Sequence, residues 1–135
     1  MKYLGIDYGT KRTGIALSDD DGMMAFPREV LAVTTEEKLV ADIGVICKEE
    51  GVEEIVVGES KNSEGEYNAV MKHIAPLKEK LEKVLGLPVH LELEFMTSMH
   101  ADIGQGRTKL RDASAAALIL QRYLDKQKKS SILDD

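Results

Sequence analysis

Ile55, Val56 and Val57 stand together in VEEIVVG with no charge among them. Such a run reads as a strand. Apolar side chains on both of its faces place it inside a sheet that is covered from both sides. The neighbouring sequence supplies the cover. Upstream, TTEEKLVADIGVICKEEG carries Leu39, Ile43 and Ile46 near helical spacing, with Val40 beside them. Thr34 or Thr35 is suited to cap its start, and Gly51 to stop it. Downstream, Val70, Ile74, Leu77, Leu81 and Val84 mark one helical stripe between Tyr67 and Leu85. Pro76 interrupts that stripe, so a kink or a restarted helix is expected there. Gly86 closes it, and LPVHLEL is the next strand.

Before this alternation come KYLGID and TGIALS, two short strands joined by YGTKR, with Gly9 as the permissive turn residue. Leu4 and Ile6 share one face of the first strand, and Tyr3, Gly5 and Asp7 the other. A third strand is expected from about Arg28 to Val33, with Pro27 at its entrance. Three strands with short links predict an antiparallel meander. At the other end, a short helix is expected near Thr97 or Ser98, and IGQGRTKLR reads as an exposed basic loop. DASAAALILQRYLD is the best helix of the chain, its alanines permitting close packing. The order β-β-β-α-β-α-β-α predicts an α/β fold with a mixed sheet flanked by helices. A length of 135 residues suits one domain. Its expected extent is residues 1–126, with a flexible tail over 127–135.

Charge and cysteine usage narrow the function. A net charge of −6 argues against a protein that coats nucleic acid by bulk attraction, but not against a nuclease with acidic metal ligands and a local basic patch. The single cysteine, Cys47, excludes an internal disulfide framework and reads as buried filler. MKYLGIDYG has no signal-peptide core, and no run has the apolar length to span a bilayer. A cytoplasmic protein without membrane association is expected.

Four carboxylates fall at element ends. Asp7 closes the first strand, Glu59 the fourth and Glu94 the fifth, while Asp112 begins the last helix. Strands entered by crossovers can run parallel to the first, with their carboxyl ends on one edge, where open α/β sheets form their crevice. Clustered carboxylates repel unless protonated or neutralised, and magnesium or manganese neutralises them with hard-oxygen coordination. Two such ions about 3.5–4 Å apart can activate a water and stabilise a leaving oxygen. Each carboxylate also has a plainer use. Asp7 could cap a turn, Glu59 belong to a polar loop and Asp112 cap its helix, and alternation could leave Glu92 and Glu94 facing water.

Lys11, Arg12, Arg107, Lys109 and Arg111 lie near those ends and could hold phosphate without reading bases. Lys126, Lys128 and Lys129 read as a solubilising tail. Tyr8 is a candidate wall beside Asp7, whereas Tyr3, Phe26, Met23 and Met24 are assigned to core or edge packing. His73, His90 and His100 form no zinc spacing, and the first two read as surface residues. No nucleophile elbow, Cys-x-x-Cys or phosphate-loop motif is present.

LGIDYGTKRTGIALSD resembles the opening of the YqgF/RuvX-like family, also described as Holliday junction resolvase-like or pre-16S ribosomal RNA nuclease proteins. The resemblance continues through IVVGESKNSEG, PVHLELEFMTSMHA and RDASAAALILQRYLD. It implies a ribonuclease H-like fold with a five-stranded mixed sheet. It also implies Asp7, Glu94 and Asp112 as catalytic carboxylates holding one or two Mg2+ or Mn2+ ions. Lys11 and Arg12 match the family's basic pair. Thr97 and Ser98 match its hydroxyl positions, and Gly58, Asn62 and Gly65 its G-x-P-x-N-x-x-G loop. Two departures stand out. Glu59 and Ser60 replace leucine-proline, which makes Glu59 a candidate added ligand. Leu93 and Phe95 replace the aspartate and arginine of D-E-R, which removes a bidentate phosphate clamp.

The resemblance implies a metal-dependent endonuclease acting on structured RNA, in 5′-end processing of precursor 16S ribosomal RNA. Nucleic-acid contacts are expected from Lys11, Arg12, Asn62, Thr97, Ser98, Arg107, Lys109 and Arg111. A resolvase of branched DNA is the first alternative, which two-fold pairing of active sites would favour; monomer and homodimer both stay open. A noncatalytic RNA or protein adaptor is the second. An ATP-binding protein of actin-like ancestry is the third, and the chain is too short to close two domains around nucleotide.

Overall fold

A computed structural model describes residues 1–9, 11–59, 67–92 and 109–134, with side chains at all of these except 59, 67–73, 109–112 and 129–134. Strands β1 (Tyr3–Tyr8), β2 (Arg12–Ser18) and β3 (Ala25–Ala32) come first, followed by α1 (Glu36–Glu50) and β4 (Glu54–Glu59). Then come α2 (Tyr67–Leu85), β5 (Val89–Glu92) and α3 (Lys109–Asp134). The five strands form one sheet in the order β3-β2-β1-β4-β5. The meander β1-β2-β3 is antiparallel, while β4 is parallel to β1 and to β5. The expected mixed sheet is present, and β4 is internal to it.

Alternation divides the side chains between two layers. Leu4, Ile6, Ile55 and Val57 join Leu39, Ile43, Ile74, Leu77 and Leu81 in the larger core, under α1 and α2. Val56 and Ala16 meet Ala116, Ile119, Leu120 and Leu124 under α3. The result is a three-layer sandwich, helices on both faces of one sheet. Helix α1 begins at Thr35, whose hydroxyl oxygen accepts the Lys38 N–H at 3.1 Å. It ends at Gly51, which takes the left-handed conformation at φ 70°. Cys47 is buried, and burial pushes its thiol up to about 11.

Several expectations change. Pro27 lies inside β3 and not at its entrance. An edge strand tolerates it, and the register shift against Ile15 and Ala16 absorbs the irregularity. Helix α2 continues through Pro76 without restarting. Lys109 and Arg111, expected on a loop, are helical, and Lys-Leu-Arg is a good helix-forming sequence. The same helix runs past residue 126 to Asp134. Met23, Met24 and Phe26 are exposed on and before β3 and do not pack in the core. The segment expected to start a helix near Thr97 or Ser98 lies outside the described residues.

Candidate nuclease site

Asp7 occupies the penultimate position of β1 and is 5% exposed. Its neighbours across the sheet are Gly14 on β2 and Gly58 on β4, so neither flanking position carries a side chain. The next residue in that cross-strand row is Glu92, paired with Gly58. Alternation puts Tyr3, Gly5 and Asp7 on the α3 side, and two contacts bear this out. Tyr3 lies against Tyr123 with ring centroids 5.9 Å apart, and a Cβ added at Gly5 would meet Leu120 Cβ at 2.7 Å. Tyr8 points the other way and packs against the larger core, so it is not a wall beside Asp7 on that face. Burial and then the Glu36 carboxylate hold the Tyr8 phenol above its ordinary range.

Helix α3 brings its first turns to the same sheet edge. Ala116 and Leu120 lie over Gly5, and Tyr123 lies over Tyr3, so the helix runs antiparallel to β1. Asp112 is one turn before Ala116, about 6 Å at 1.5 Å per residue. Asp7 is two residues beyond Gly5, about 6.6 Å at 3.3 Å per residue. The Asp112 backbone is therefore level with Asp7 along the strand. It falls within the helix begun at Lys109, so Asp112 is not the N-cap. Glu59 ends β4 beside Tyr8 in the sheet register. The side chains of Glu59, Lys109, Arg111 and Asp112 are outside the description, as are Glu94, Asn62, Thr97, Ser98 and Arg107 entirely. Among the described residues no group of three His, Cys, Asp or Glu side chains forms a metal site.

The turn after Asp7 sets the basic pair. A Cβ on Gly9 would run into the Arg12 carbonyl, so the close approach of the backbone, and not a positive φ, demands glycine there. Thr13 is buried and its hydroxyl donates to the Gly9 carbonyl at 3.4 Å. Lys11 and Arg12 are exposed at this edge, and the Lys11 carbonyl accepts the Val33 N–H at 3.0 Å.

Two readings of the sequence are settled differently on the α3 face. Glu92 does not face water: it is 3% exposed and accepts from Lys126 Nζ at 2.7 Å. Lys126 and Lys128 are not a detached tail, for Lys128 Nζ donates to the Met23 carbonyl at 3.3 Å. The available signal was the pair Arg122 and Lys126, four residues apart on α3, opposite a strand written His-Leu-Glu. His90 keeps a partly exposed position, 2.7 Å from Glu54 Oε1 and stacked on Tyr123 at 5.2 Å.

A mixed sheet of this order, with an acidic residue next to the end of β1 and a helix returning over it, is a ribonuclease H-like fold of the RuvC type. T. thermophilus RuvC in complex with a Holliday junction substrate superposes with a TM-score of 0.63, covering 95% of this chain and 96% of that one, at 14% identity. The chain belongs to the RuvX family: the model described as Holliday junction resolvase matches residues 1–126. It is 39% identical over 133 residues to a candidate pre-16S rRNA nuclease of Nitratidesulfovibrio vulgaris, covering 98% of this chain and 90% of the relative. A protein of the same designation from Halothermothrix orenii is 37% identical, with 96% and 98% covered. Among the described residues no helix is long and apolar enough to cross a membrane.

Proposed function

We propose that this protein is a metal-dependent endonuclease that hydrolyses phosphodiester bonds in structured RNA, with the 5′ end of precursor 16S ribosomal RNA as its target in the cytoplasm. The observation that carries the reading is the buried Asp7 at the carboxyl end of β1, with the first turns of α3 returned to the same edge. Relatives designated as candidate pre-16S rRNA nucleases support the substrate. Residues 1–126 form the nuclease domain.

The donor chemistry fits a hard divalent cation. Asp7 offers carboxylate oxygens in a site held rigid by β1, between two glycine positions that add no competing side chain. Asp7, Glu94 and Asp112 would hold one or two Mg2+ or Mn2+ ions, with Glu59 as an added candidate. Such an ion would supply Lewis acidity for activating water and positive charge opposite the scissile phosphate. The chain's own basic and polar groups then position the backbone: Lys11 and Arg12 on the β1–β2 turn, with Asn62, Thr97, Ser98, Arg107, Lys109 and Arg111. The products expected are a 5′-phosphate and a 3′-hydroxyl.

The family description keeps a second reading in view, a resolvase of four-way DNA junctions. One experiment separates the two. Wild type, Asp7→Asn and Asp112→Asn are incubated with precursor 16S RNA and with a four-way junction, with and without Mg2+. Metal-dependent cleavage of the RNA, lost in both variants, is the expected result. Preference for the junction replaces the RNA reading. Equal activity of wild type and Asp7→Asn without metal removes the mechanism.

A further inference from the structure

Close packing seats α3 on the sheet at Gly5 and Gly58, and polar contacts add to what holds it there. Its sheet-facing side is rich in alanine and meets glycine positions, and apolar burial is non-directional. Polar contacts add direction on both sides: toward β3, Gln121 Oε1 accepts the Ala25 N–H at 2.9 Å and its Nε2 donates to the Met23 carbonyl at 3.0 Å, and toward β5 the contact is charged. Glu92, 3% exposed at the end of β5, takes a hydrogen bond from Lys126 Nζ at 2.7 Å, and Arg122 Nε lies 3.7 Å from the same Oε2. Helical side chains lean toward the helix N-terminus, so both cations reach back toward the sheet edge that ends with Asp7. Between them and that edge, Ile119 sits over Gly58, where an added Cβ would be 2.6 Å from Ile119 Cγ2. Asp112, Ile119 and Lys126 are spaced seven apart and share one row of α3.

Sliding or rotating the helix would separate Glu92 from its cations and leave a carboxylate buried without charge compensation, which is strongly unfavourable. We propose that Glu92, with Lys126 and Arg122, is a positioning cluster that holds the β5 side of α3 in the register bringing its Asp112 turn to the carboxyl end of β1. The proposal rests on the nuclease reading for what that turn does, but the register itself can be measured without turnover.

The test compares Lys126→Met, Glu92→Gln and Lys126→Arg. Lys126 is 62% exposed, so its replacement leaves the core intact. Amide hydrogen exchange is read over residues 113–118, the second turn of α3 onward, with α1 as the internal reference. Exchange there is expected to quicken at least about tenfold in Lys126→Met and Glu92→Gln while α1 stays unchanged, with Lys126→Arg like wild type. In cleavage, the Mg2+ concentration for half-maximal rate is expected to rise about tenfold at an unchanged KM for RNA. Unaltered exchange over 113–118, or equal acceleration in α1 and α3, overturns the proposal. So does a shift in exchange without a shift in the metal midpoint of an active enzyme. If wild type cleaves neither substrate, the nuclease reading falls, and exchange alone still decides the register.

Discussion

Asp7 combines burial with an acidic side chain, and burying a carboxylate is costly unless something compensates it. A residue kept for catalysis and one kept for stability respond differently to loss of charge. Asp7→Asn is expected to lower metal-dependent cleavage by about 10³-fold, roughly 4 kcal/mol of barrier, while circular dichroism shows the fold largely preserved. Glu59→Gln tests the added ligand: weaker Mg2+ activation supports it, and unchanged metal affinity and cleavage remove it. Cys47 gives a pH prediction of definite sign. Its thiol rises from an ordinary 9.0 to about 11 in the fold, because burial disfavours the thiolate. The unfolded chain therefore releases this proton first. The contribution of Cys47 to stability is intact below pH 9 and is lost between pH 9 and 11, a decline that Cys47→Ala should lessen in denaturant titrations. Thiol reagents at pH 8 should label it only as fast as the chain opens.

At the scale of elements, the close seat of α3 on the sheet depends on two absent side chains. A Cβ at Gly58 would meet Ile119 Cγ2 at 2.6 Å and the Glu92 carbonyl at 2.9 Å. One at Gly5 would meet Leu120 Cβ at 2.7 Å and the Ala116 carbonyl at 3.1 Å. Backbone on one side of each contact cannot yield as a side chain can. Gly58→Ala is expected to cost about 1–3 kcal/mol in chemical denaturation, and to weaken metal activation because α3 is lifted from β1. Thr35→Ala tests a remote element: losing the N-cap should cost about 1 kcal/mol without altering metal dependence.

For the whole molecule, a net charge of −6 means that substrate must be held by local cations against a repulsive average field. If Lys11, Arg12, Arg107, Lys109 and Arg111 each neutralise one phosphate, log Kd against log salt for single-stranded RNA should have a slope of magnitude about 3.5. Replacing both Lys11 and Arg12 by alanine should lower that magnitude by about 1.4, whatever the RNA sequence. A slope left unchanged would move the binding surface away from the β1–β2 turn.

The alternation of strand-length apolar runs with helical periods was enough to read the α/β class, the meander and the internal position of β4, because burial on one or both faces is written directly in residue spacing. The Thr35 and Gly51 caps were legible for the same local reason. Asp7 could be singled out as a carboxylate near a strand end, and the family motifs nominated Glu94 and Asp112 to act with it. Only the tertiary structure decided which distant groups meet. It set α3 antiparallel to β1, made Gly58 a seat for Ile119, and turned Glu92 inward onto Lys126, where alternation alone left it free to face water. It also kept Pro27 within an edge strand. These outcomes depend on packing between segments far apart in the chain, and local spacing carries no information about the partner that a buried charge or a missing side chain will find.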